Sequence, residues 1–136
     1  MNIEFSNKTV IVTGAAHGIG RAISLAFVER GAQVWACDVL ANELAETRRL
    51  CQNVAGKFEI RSVDVTDRDA VFAFVTEATQ ARGKVEILVN NAGGVLGQVG
   101  RHLEEISTQD WDSIYNVNTR GALYFSQAVA PGMKKA

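Results

Sequence analysis

The chain has 136 residues, 47% of them apolar, 21% charged and one a proline, a composition that excludes a disordered or fibrous polypeptide and suits one globular domain. Fourteen Lys and Arg balance fifteen Asp and Glu with no run of five like charges, which argues against a nucleic-acid partner. No apolar run nears the roughly 18 residues of a membrane helix, the first residues show no secretory pattern, and Cys37 and Cys51 lack C-x-x-C spacing, so the expectation is a cytoplasmic chain with reduced thiols, no metal site and no membrane contact.

In chain order, short β-branched runs alternate with longer amphipathic stretches, the pattern of βαβ units. Residues 9–12, Thr-Val-Ile-Val, are apolar without alternation and precede a Gly turn, as in a parallel strand buried on both faces. Over 18–30, Ile19, Ile23, Ala26 and Phe27 recur at helical spacing, and Gly31 supplies a stop. A second strand is predicted over 33–37 and a second helix over 41–54. The third strand, 58–63, alternates polar and apolar residues, which places it at a sheet edge. Thr66-Asp67-Arg68-Asp69 reads as an N-cap at Thr66 with an acidic residue three positions on, opening a helix to Arg82. Residues 87–89, Ile-Leu-Val, give a fourth strand. Beyond the glycine-rich segment 93–100, Ser107 is expected to cap a helix running through Trp111, Ile114, Val117, Leu123 and Phe125 to about Ala130, where Pro131 and Gly132 threaten its end. Four strands and four helices in alternation predict an α/β, Rossmann-like doubly wound parallel sheet, and right-handed crossovers give strand order 3-2-1-4.

Between the first strand and the first helix lies Thr13-Gly14-Ala15-Ala16-His17-Gly18-Ile19-Gly20. Gly14 permits the sharp turn, Gly18 lets backbone approach a phosphate, and Gly20 lets the helix pack closely on the strand. Backbone N–H groups and the helix dipole then favour a pyrophosphate. Scattered glycines alone would mark an ordinary turn; the strand–turn–helix setting makes them a nucleotide-binding signal. Asp38 ends the second strand 18 positions after Gly20, near the offset at which a carboxylate holds a ribose diol. It accepts from both hydroxyls and repels a 2′-phosphate, which favours NAD over NADP; His17, a basic residue in the loop, is weak support for NADP. Asp64-Val65 and Asn90-Asn91-Ala92-Gly93 follow the third and fourth strands, at the carboxyl ends where open α/β sheets bind ligands. Singly they could be turn residues; jointly they converge on one crevice.

This spaced set, completed by Asn118 within Asn116-Val117-Asn118-Thr119-Arg120-Gly121, resembles the short-chain dehydrogenase/reductase family of classical type over nearly the whole chain. The resemblance implies an NAD(P)-dependent oxidoreductase that moves a hydride between nicotinamide and an alcohol or carbonyl substrate. By the same resemblance, Gly14, Ala16, His17, Gly18, Ile19 and Gly20 would hold the pyrophosphate, and Asp38 the adenosine ribose. Asp64 and Val65 would hold the adenine, and Asn90, Asn91, Ala92 and Gly93 the middle of the cofactor and the sheet. Asn118 would be the catalytic Asn, whose main chain holds a water at a helix kink. The family's catalytic Ser and Tyr-x-x-x-Lys have no counterpart in the sequence: Tyr115 is followed four positions on by Thr119, and Tyr124 by Ala128. The expectation is therefore that residues 1–136 are the cofactor-binding half, cut before a fifth strand, inactive alone and homo-oligomeric at full length. The alternative is a non-catalytic NAD-binding module.

Overall fold

A computed structural model describes residues 3–135. Four parallel strands, β1 (Thr9–Thr13), β2 (Gln33–Asp38), β3 (Lys57–Ser62) and β4 (Ile87–Val89), form one sheet in the order β3-β2-β1-β4. The register pairs Val10 with Val34 and with Ile87. This is the predicted topology, and the polar-alternating β3 stands at an edge.

Strand geometry sends successive side chains to opposite faces, and both faces of β1 are buried. Val10 and Val12 pack with Val28, Val34, Ala36 and Leu44 beneath α1 (Gly18–Glu29) and α2 (Ala41–Leu50). Ile11 joins Trp35, Phe74, Val75, Phe125 and Val129 beneath α3 (Arg68–Arg82) and α5 (Gly121–Lys135). Phe74 meets Trp35 and Phe125 edge-on, each at 6.1 Å between ring centroids. Each such fully buried large side chain contributes about 1.5–3 kcal/mol, so two apolar faces fix the layer order.

Several predicted boundaries are corrected. α2 ends at Leu50 rather than 54. Asn53 takes a left-handed φ of 59°, and Gly56 enters β3 so close to α1 and β2 that a Cβ there would lie 2.1 Å from the Ala32 carbonyl oxygen. The need to reach β3 beside β2 stops the helix. The N-cap of α3 is Asp67, whose side chain accepts from the Ala70 N–H at 3.0 Å, and not Thr66. Thr66 instead donates its N–H and hydroxyl to Asp64 Oδ1 at 2.8 and 2.7 Å. Ser107 does cap α4 (Thr108–Tyr115), accepting from the Asp110 N–H.

The last predicted helix is a longer, interrupted rod. α4 passes through a π-helical turn, Asn116–Arg120, directly into α5, and the Gly121 N–H bonds to the Asn116 carbonyl five residues back. α5 then continues through Pro131 and Gly132 to Lys135. Proline removes one backbone donor, but Val129 on one side of it and Met133 on the other both pack against the core, which carries the helix past the defect. Of the two tryptophans, Trp35 is in the core, whereas Trp111 is 62% exposed.

Candidate functional site

The carboxyl ends of the four strands open into one cleft of about 520 Å³. Its lining includes Gly14, His17, Ile19 and Gly20 from the glycine-rich turn, Asp38 after β2, and Asp64 and Val65 after β3. Asn91, Ala92 and Gly93 close it beyond β4. Ten of the predicted residues therefore converge, although up to 79 positions separate them in sequence.

The glycines have different physical reasons. Gly14 has a φ of 66°, and a Cβ there would stand 2.8 Å from the Ala92 Cα. A Cβ on Gly20 would lie 2.0 Å from the Gly14 carbonyl oxygen and 2.5 Å from Asn91 Nδ2. Both are packing requirements between the loop, α1 and the segment after β4. Gly18, with a φ of 54°, meets nothing within 4 Å at the same position, so its bare backbone faces open space. The N-terminus of α1 begins there, with His17 at the N-cap making no side-chain cap bond and no acidic residue in the first turn. α3 and α4, by contrast, are capped by Asp67 and Ser107. Uncapped N–H groups at the positive end of a helix dipole favour an anion.

Asn91 holds the walls together. Its side-chain amide donates to the Thr13 and Gly14 carbonyls at 3.1 and 3.0 Å, while the Thr13 hydroxyl accepts from the Asn91 and Ala92 N–H groups. Asp38 is half-buried; its Oδ2 accepts from the Ala16 N–H at 3.0 Å and its Oδ1 from the Leu40 N–H at 3.1 Å. Each carboxylate oxygen has two lone-pair positions, so Asp38 keeps acceptor capacity toward the cleft. His17 is exposed, with Nε2 4.0 Å from a Glu43 carboxylate oxygen.

Four predicted residues fall outside the lining. Ala16 is fully buried behind the loop. Gly18 is exposed and sits in sequence between the lining residues His17 and Ile19. Asn90 turns to α5, donating to Ser126 Oγ at 3.2 Å. Asn118, in the π-turn, grips the loop after β4: its Nδ2 donates to the Gly94 and Ile114 carbonyls at 2.7 and 2.9 Å, and its Oδ1 accepts from the Gly94 N–H at 3.0 Å. Gly93 must be glycine for this, since a Cβ would stand 2.5 Å from Asn118 Oδ1. A π-turn inside a longer helix frequently marks a functional position.

Sequence reasoning missed the apolar part of the cleft. Val39, Leu40, Val63, Leu96 and Val117 also line it, and Ile19 is 73% exposed there. The available signal was Val39-Leu40 directly after Asp38, two large apolar residues where a turn would ordinarily be polar. The two thiols have no part in this chemistry: Cys37 and Cys51 are buried, and burial pushes both upward in pKa, Cys51 to about 11. Among the described residues no three metal-capable side chains cluster, and no helix is long and apolar enough to cross a membrane.

Proteins similar in sequence and fold are known. A 3-oxoacyl-[acyl-carrier-protein] reductase of Thermotoga maritima is 35% identical over 133 residues, covering 98% of this chain and 53% of the relative. A 7α-hydroxysteroid dehydrogenase solved with NADH and 7-oxo glycochenodeoxycholic acid superposes with TM-score 0.88 at 33% identity, over 98% of this chain and 51% of its own. A metagenomic short-chain oxidoreductase solved with NADP gives TM-score 0.88 at 32% identity, over 95% of this chain and 57% of its own. The chain thus spans about half the length of these relatives. The family model described as short chain dehydrogenase matches residues 8–136, and the chain belongs to that family.

Proposed function

We propose that this chain is the cofactor-binding half of an NAD-dependent oxidoreductase that interconverts an alcohol and a carbonyl compound. The observation that carries the proposal is the single cleft joining the uncapped N-terminus of α1, at His17 and Ile19, to a carboxylate at Asp38. The residues fit a dinucleotide: open space beside Gly18 for a diphosphate, an acceptor at Asp38 for a ribose diol, and apolar Val63 and Val65 for a base. When bound, such a cofactor supplies hydride transfer at the nicotinamide carbon C4. The chain's own part is to orient it. The α1 backbone would hold the diphosphate, Asp38 the adenosine ribose, Asp64 and Val65 the adenine, and Asn91 to Gly93 the middle of the cofactor. Asn118 is proposed as the family's catalytic Asn, with its main chain holding a water and its side chain fixing the loop at Gly94. Proton transfer to a developing alkoxide needs an acid near it. Neither Tyr115 nor Tyr124 stands four residues before a Lys, so that role is assigned to residues outside these 136.

NAD is preferred to NADP because a 2′-phosphate at Asp38 would meet like charge, with Glu43 beside His17 adding a second carboxylate nearby. A reducing, cytoplasmic setting belongs to the same proposal and is supported by two buried free thiols. Exposed Trp111 and Leu123 on α4 and α5 support homo-oligomerisation. The test is calorimetric titration of the chain and of Asp38→Ala with NAD and NADP. Wild type should bind NAD more tightly, and the variant should lose more affinity for NAD than for NADP. Equal losses refute the ribose assignment, and no binding of either dinucleotide refutes the whole reading.

A further inference from the structure

A polar network with no place in the cofactor contacts described above lies behind the glycine-rich loop. Thr47, fully buried in α2, occupies a helical position between buried Leu44 and Cys51, where burial alone would be served by a valine. Its hydroxyl oxygen stands 2.9 Å from the Ala15 carbonyl oxygen and 3.0 Å from that of Ala16, and accepts from Arg21 Nε at 2.9 Å. Arg21, in the first turn of α1, also donates from Nη2 to the Ala16 carbonyl at 2.6 Å and to the Glu43 carbonyl at 3.1 Å. Two successive loop carbonyls are therefore held toward α2. In a trans peptide the C=O and the following N–H point in opposite directions, and no peptide bond here is cis. Holding the Ala15 carbonyl aims the Ala16 N–H at Asp38, which accepts it at 3.0 Å. Holding the Ala16 carbonyl turns the His17 N–H away from α2, at the start of the stretch of backbone proposed to receive the diphosphate.

We propose that Thr47, with Arg21, is a positioning residue for the diphosphate-binding loop, acting through the Ala15 and Ala16 carbonyls from the side opposite the cleft. The inference rests on the proposed nucleotide function. One hydroxyl and one guanidinium thus set the direction of two backbone donors, the Ala16 and His17 N–H groups, from behind the loop. They also join the diphosphate end of the site, through Ala16, to the ribose carboxylate of Asp38.

The test compares Thr47→Val, which keeps shape and removes the hydroxyl, with Thr47→Ser, which restores it. Affinities for NAD and for adenosine, which has no phosphate, are measured on the whole chain by titration. Thr47→Val should weaken NAD about tenfold, the equivalent of one hydrogen bond, and weaken adenosine less, since adenosine meets this network only through the Ala16 N–H bond to Asp38. Thr47→Ser should regain NAD affinity. Equal NAD affinity in Thr47→Val and wild type overturns the proposal, as does an adenosine loss matching the NAD loss, or a serine variant no better than valine. Should Thr47→Val lose its circular dichroism, Arg21→Met replaces it, and an NAD affinity equal to wild type, or an adenosine loss matching the NAD loss, overturns the proposal. If wild type itself binds no NAD, the nucleotide function fails and the clamp with it; if wild type binds and the variants bind equally, only the clamp fails.

Discussion

Gly20→Ala is a sharp perturbation because its two consequences have opposite sign. Gly20 lies in α1 with ordinary helical backbone, so alanine there gains about 1 kcal/mol of helix propensity. Its Cβ, however, would lie 2.0 Å from the Gly14 carbonyl oxygen and 2.5 Å from Asn91 Nδ2, where ordinary contact begins at 3.4 Å. The nearer obstacle is backbone, so α1 and the Gly14 turn must separate by more than an ångström. That overpacking costs roughly 1–3 kcal/mol. Displacing Asn91 forfeits its bonds to the Thr13 and Gly14 carbonyls, at about 1 kcal/mol each. The net expectation is a loss of about 2–4 kcal/mol, a large part of the roughly 5–15 kcal/mol that holds a domain folded. Urea unfolding followed by far-ultraviolet circular dichroism measures it, with an unchanged m-value confirming that the native state is the one affected. Gly132→Ala is the control: a Cβ there meets nothing within 4 Å, inside α5, so it should be neutral or stabilising. A Gly20→Ala chain as stable as wild type, or a Gly132→Ala chain destabilised as much, refutes the close-packing argument.

Asn118→Ala removes both bonds to Gly94, so the Gly94 amide should exchange with deuterium about tenfold faster while the β1 amides stay protected; an unchanged rate would show that the π-turn does not anchor the loop. The thiols predict an alkaline limit. Burial and then Glu29 raise Cys51 to about 11 from an ordinary value of 9.0. Between those values the native state binds more protons than the unfolded chain, so this contribution is complete below pH 9 and is lost as pH rises toward 11. Urea midpoints should fall less steeply above pH 9 in Cys51→Ala, and parallel curves would contradict the burial argument. At pH 8 neither Cys37 nor Cys51 should react with a thiol reagent until urea is added.

The strands, their order and most of the cleft were legible in the sequence, because they rest on signals confined to a few neighbouring residues: apolar runs, glycines at a strand–helix turn, and Asp38, Asp64 and Asn91 just past strand ends. Right-handed crossovers then bring those ends together with little freedom left. Other features depended on partners distant in sequence. Gly56 wedged against Ala32 ends α2, and core packing by Val129 and Met133 carries α5 past Pro131. Asn90 faces α5 and not the cleft, although it stands next to Asn91, because alternate residues of an extended segment point to opposite sides. The Arg21–Thr47 clamp on the loop joins residues 26 positions apart. A local pattern states which backbone conformation is favoured; which helix, carbonyl or side chain then lies against it is decided by packing, and packing exists only once the sheet has formed.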